Sequence, residues 1–144
     1  DTYAAGEAAL GWMNASGRLV ASGAVDWPVF AGELLEGIRS RLRAESAEIA
    51  HVKVYLTTRG AGHVAGNLTS NDGPLSIRGA IGPDQRQVAL LVNARVHTEP
   101  ERLRGAVAGA LETAAGDRLQ ATITNVRSFF PGRPEPTHRD QAVV

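Results

Sequence analysis

Hydrophobic positions between Asp26 and Arg43 recur at intervals of three and four, at Phe30, Leu34, Leu35, Ile38 and Leu42. That spacing lays one apolar stripe along a helix. Asp26 stands where an N-cap is needed, and Pro28 falls in the first turn, where its missing N–H costs nothing. Arg39, Arg41 and Arg43 fall mostly on the opposite side. A second helix is predicted from Leu103, Val107 and Leu111. Thr98-Glu99-Pro100-Glu101 reads as the capping box that starts it, and Gly116 as its end.

Alternation replaces the helical period elsewhere. Ile49 to Thr57 (IAHVKVYLT) puts Val52, Val54 and Leu56 on one face and His51, Lys53 and Tyr55 on the other. Gln87 to Val96 (QVALLVNARV) does the same. Val88, Leu90, Val92, Ala94 and Val96 share one side; Leu91, Asn93, Arg95 and the following His97 share the other. Ala9 to Ser22 and Arg118 to Val126 read as the opening and closing strands, with Gly17 a bulge or turn in the first. The glycines of GAG at 60–62 turn the chain into HVAGNLTS, a short strand, and another short strand is expected around Leu75 to Ile81.

The order strand, helix, strand, short strands, strand, helix, strand predicts an α+β fold. Its expected form is a ferredoxin-like split β-α-β sandwich with an inserted short strand or hairpin. Right-handed crossovers then place both helices on one face of a mainly antiparallel sheet. Residues 1–8 are expected to form a flexible arm and 9–128 the domain. Residues 129–144 are expected to form an extended Pro-rich tail, because prolines at 131, 134 and 136 remove donors and disfavour helix.

A chain of 144 residues, 43% hydrophobic and 21% charged, has the size and make-up of one soluble domain. Fifteen basic and fifteen acidic residues give zero formal net charge, which argues against nucleic acid or an anionic membrane surface as partner. No apolar run approaches the length of a membrane span, and a cytoplasmic location is expected. With no cysteine, neither a disulfide framework nor a thiolate metal site exists in this chain.

With the aliphatic rows under the helices, the reverse face carries His51, Lys53, Tyr55, Asn93, Arg95 and His97. Trp12 and Asn14 are candidates to join from the first strand, and Thr122 and Thr124 from the last. His51 is expected near His97. Converging imidazoles, an ammonium and a guanidinium suit an anionic ligand or part of a partner. The alternative is a polar face simply left in water, as antiparallel sheets often have. Such a face also suits a homodimer. His51, His63, His97 and His138 lack the helical spacing and carboxylate neighbours of a metal site, so no metal is assigned. No nucleophile elbow, phosphate loop or carboxylate-supported general base is visible, and no catalytic residue is assigned.

The stretch FFPGRPEPTHR, Phe129 to Arg139, resembles the closing motif of the long C-terminal domain in a subset of CobW-type proteins, the cobalamin-synthesis-related metallochaperone GTPases. LGWMNA at Leu10–Ala15, VDWPVF at the first helix, IAHVKV at Ile49–Val54, NLTSND at Asn67–Asp72 and LLVNARV at Leu90–Val96 are similar in the same order. The resemblance covers roughly residues 9 to 139. It implies a non-catalytic accessory domain that contacts the GTPase domain, a client protein or a metal-bearing ligand. Binding of GTP and of zinc or cobalt is implied for the family's GTPase domain, whose phosphate loop and Cys-rich motif are absent from this sequence. Carried over are His51 and Lys53 in HVK, Asn93 and Arg95 in NAR, and His138 and Arg139 in THR, with Arg133 in the same tail motif. The alternative function is a stand-alone module that binds an anionic small molecule on the open sheet face.

Overall fold

The computed structural model describes residues 9–130. The expected arm at 1–8 and most of the expected tail, including Arg133, His138 and Arg139, lie outside the described residues. The elements follow the predicted order: β1 (Leu10–Ala21), α1 (Trp27–Ala44), β2 (Glu48–Thr57), β3 (Gly62–Leu68), β4 (Ser76–Ile81), β5 (Gln87–His97), α2 (Pro100–Ala115) and β6 (Leu119–Phe129). The architecture is α+β. Six strands form one sheet in the order β4-β3-β2-β5-β1-β6, every neighbouring pair antiparallel. The insertion β3–β4 extends the sheet beyond β2, beneath α1.

Helix α1 forms for the reasons legible in its sequence. The Val29 N–H donates to the Asp26 carboxylate at 3.1 Å, and Phe30, Leu34, Leu35, Ile38 and Leu42 are all fully buried. Asp26→Ala should therefore cost about 1 kcal/mol, the usual worth of an N-cap, read as a lower urea midpoint at unchanged slope. The three arginines of this helix do more than face water. Arg39 pairs with Glu36 and donates to the Gly73 carbonyl; Arg43 donates to that of Asn71; Arg41 reaches Thr113 on α2. They fasten the helix to the loop before β4 and to its neighbouring helix.

The start of α2 differs from expectation. Its N-cap is Glu99, with no side-chain cap bond, and Thr98 lies one residue outside. Pro100 is the cause: it pushes the preceding residue into extended backbone, so Glu99 takes the cap conformation at φ −69° and ψ 140°. Thr98 is instead buried beside β1, where its carbonyl oxygen would lie 2.6 Å from any Cβ added at Gly11. Gly11 is glycine for that close approach. Gly116 ends the helix as expected.

Both helices cover one face of the sheet. Helix α1 rests on β2, β3 and β4, α2 on β1 and β6, and the two touch each other. Val52, Val54, Leu56, Val88, Leu90 and Val92 from the sheet join Trp27, Leu34, Leu103 and Val107 from the helices in one buried cluster. Two irregularities set the parity of the strands. At Gly17 the β1–β6 register shifts, and a Cβ there would collide with the Thr122 carbonyl oxygen. The second shift lies between Ile49 and His51, so that Ile49 and Val52 both point inward although one number is odd and the other even. No helix among the described residues is long and apolar enough to cross a membrane.

Candidate functional site

The register of the sheet converts the polar face into cross-strand rows. One row runs His51, Arg95, Trp12, Phe129 across β2, β5, β1 and β6. The next runs Asn67, Lys53, Asn93, Asn14, Arg127 across β3, β2, β5, β1 and β6. Neighbouring strands lie about 4.8 Å apart, so each row is a continuous line of side chains. The structure therefore brings four of the six expected residues, His51, Lys53, Asn93 and Arg95, into adjoining rows. Trp12 and Asn14 join them as anticipated, and these six side chains with Ala94 line a cleft of about 360 Å³.

Tyr55 and His97 share the face but not the cleft. Tyr55 pairs with Leu91 and Ala65 in the third row and holds the His63 ring 5.6 Å away. His97 ends β5 opposite Glu48: His51 pairs with Arg95, two residues before it, and the extra residue Ala50 moves His97 one place further. The expected register of Thr122 and Thr124 also differs. Thr122 lies opposite Arg18, toward the far end of the sheet, and Thr124 sits at the β1–β6 irregularity, donating to the Ser16 carbonyl. Arg127 and Phe129 occupy the places beside Asn14 and Trp12 instead.

Each cation in these rows lies over an aromatic ring. The Arg95 guanidinium is 4.5 Å from the Trp12 ring centre, Arg127 is 5.6 Å from Phe129, and the Lys53 ammonium is 5.6 Å from Tyr55. Such contacts are worth about 0.5–1 kcal/mol at exposed sites and hold long side chains extended along the surface. Trp12 in turn meets Phe129 at 5.9 Å. Its indole N–H is buried and has no acceptor among the described residues.

Two asparagines that the alternation of the strands does not reveal support the face from below. The His51 Nε2 lies 2.9 Å from the Asn67 Oδ1. An amide oxygen only accepts, so Nε2 carries the hydrogen and the ring orientation is fixed. Asn71 accepts from the Ile49 N–H and donates to the Ala47 carbonyl, both at 2.9 Å, pinning the entry to β2 just before its irregularity. Both lie within NLTSND. Asn67 stands near the end of β3 and Asn71 in the loop that follows, and a single sequence does not say which strand they serve.

Charge is distributed unevenly over the molecule. Among the described residues, the open face collects Arg18, Lys53, Arg78, Arg95 and Arg127, against one acidic side chain, Glu48, at the corner where β2 begins. The ion pairs of the described residues, Glu36–Arg39, Asp72–Arg43 and Glu33–Arg118, all lie on the helices and loops. Zero net charge thus conceals a cationic face. The cleft is poorly suited to a metal ion: it offers one imidazole, already bonded to Asn67, beside the two cations Lys53 and Arg95. No known protein family, curated protein or solved structure matches this chain.

Proposed function

We propose that this chain is a non-catalytic recognition domain whose open sheet face holds an anionic group presented by its partner. The observation that carries this reading is the pair of adjoining rows in which Lys53 and Arg95 flank a cleft, with no carboxylate of the described residues in ion-pairing range. Two uncompensated cations on rigid strands form a surface with a definite electrostatic preference, and strands position side chains more firmly than loops do. The setting implied by the sequence is an accessory domain of a CobW-type metallochaperone GTPase. The same quoted stretches, LGWMNA, IAHVKV, NLTSND and LLVNARV, supply the residues of the cleft and its support. Its partner is then the GTPase domain, a client protein or a metal-bearing ligand that presents its anionic side.

We read the architecture as a ferredoxin-like sandwich enlarged by β3–β4. The support is the order β2-β5-β1-β6 of its main strands, with both helices on one face. Nucleic acid remains outside the proposal on a new ground. Stacked bases need free ring faces, and here Arg95 and Lys53 lie over Trp12 and Tyr55. A homodimer through this face would set like charges against each other, so the surface is assigned to a different, acidic partner.

The test is calorimetric titration of this chain with the isolated GTPase domain of a CobW-type protein, at low and high salt. Saturable binding that weakens as salt rises is the expected result. No heat at either salt concentration would remove the GTPase domain as the partner.

A further inference from the structure

We propose that the cleft is a phosphate-binding subsite that takes the phosphoryl group of a phosphorylated ligand. This rests on the open face being a recognition surface and names the group recognised there. Charge is the first reason. Lys53 and Arg95 supply two permanent positive charges to one cleft, and neither forms an ion pair among the described residues. A phosphomonoester carries about −1.5 to −2 at neutral pH and matches both. A single carboxylate leaves one cation uncompensated.

Donor count is the second reason. The Arg95 guanidinium lies over the Trp12 ring and none of its N–H groups is taken by a described residue, which leaves them for a planar or tetrahedral oxyanion. The Lys53 ammonium rests beside the Tyr55 ring, which takes none of its hydrogens in a conventional hydrogen bond. Asn14 and Asn93 face each other across the β1–β5 pairing and each adds an amide NH2. The Trp12 indole N–H is itself buried and stands beside these donors as a reporter of the cleft. These donors outnumber what two carboxylate oxygens accept, whereas three phosphoryl oxygens take them comfortably. His51, tied to Asn67, forms a fixed wall.

The experiment titrates methyl phosphate and acetate separately into the chain at constant ionic strength, following the two indole N–H resonances. Trp27, fully buried and bonded to the Gln85 carbonyl, is the internal reference. The expected result is a saturable shift of Trp12 alone, with methyl phosphate at least about tenfold tighter than acetate. Lys53→Ala should weaken it about tenfold. Equal response to acetate, no saturation at concentrations on the order of 10 mM, or indifference to Lys53→Ala overturns the assignment. A phosphoserine peptide binding far tighter than methyl phosphate assigns the group to a protein partner; equal affinities assign it to a free phosphorylated molecule. If methyl phosphate fails while the GTPase domain still binds through Lys53 and Arg95, only the phosphate assignment falls. If binding to the GTPase domain is also indifferent to both residues, the recognition reading falls with it.

Discussion

Reversing charge at both Lys53 and Arg95, as the Lys53→Glu and Arg95→Glu pair, should reduce partner binding by at least about a hundredfold while the domain stays folded. The size follows from the arrangement. Truncating one member of a desolvated charge pair costs roughly 2–5 kcal/mol, and reversal adds repulsion to the loss. Two such changes on neighbouring strands act on one bound group, so their effects couple and do not simply add. The fold should hardly notice. Arg95 is exposed and Lys53 half-buried, and each gives up little beyond its place over the ring of Trp12 or Tyr55. Unfolding free energy should change by about 1 kcal/mol or less per site. Retained binding in a folded double variant moves the recognition surface elsewhere.

Trp27→Ala should have the largest effect on stability, about 3–5 kcal/mol. Trp27 is fully buried at the first turn of α1, meets Phe30 edge-on at 5.9 Å, and donates to the Gln85 carbonyl at 3.0 Å. Truncation opens a cavity and also deprives the loop before β5 of its anchor. In a domain of this size the melting temperature should fall by roughly 10 °C or more. Trp27→Phe separates the two contributions: it retains most of the volume but leaves the Gln85 carbonyl without its donor, and about 1–2 kcal/mol of loss is expected. Both variants report on the helix side of the sheet and should leave affinity at the cleft unchanged in whatever fraction remains folded.

The contrast between these sites reflects how much each declared itself in the sequence. The apolar rows of β2 and β5 alternate without interruption from Val52 and Val88 onward, so the inward face was legible, and His51, Lys53, Asn93 and Arg95 followed by parity. What parity cannot reveal is an added residue. His51 pairs with Arg95, which already sets His97 two residues beyond it, and the extra residue Ala50 moves His97 one place further, opposite Glu48. The same limit hid the outer end of the rows. Phe129, expected in the Pro-rich tail, is the last residue of β6, one residue past the expected domain boundary. Arg127 and Phe129 belong to this strand, beside Asn14 and Trp12, beyond the expected end of the closing strand at Val126.

A net charge of zero says nothing about where the charges lie: among the described residues the acidic side chains other than Glu48 stand on helices and loops, while the strands carry arginine and lysine outward. The capping box was a local pattern overruled by a local rule, since Pro100 fixes the cap at Glu99. Asn67 was legible as part of a short strand and Asn71 as part of the turn after it, but their service to His51 and Ile49 depends on strand pairing that no short motif encodes. The described interior obeys periodicity; the described cleft depends on register.

The most direct test of the central claim is backbone amide mapping of the isotopically labelled chain as the GTPase domain is added. The account predicts that the perturbed signals cluster on the outward residues of three strands, at Trp12, Asn14, His51, Lys53, Asn93 and Arg95, with α1 and α2 unchanged. Perturbations concentrated on the exposed sides of the two helices, with those six positions silent, would contradict it.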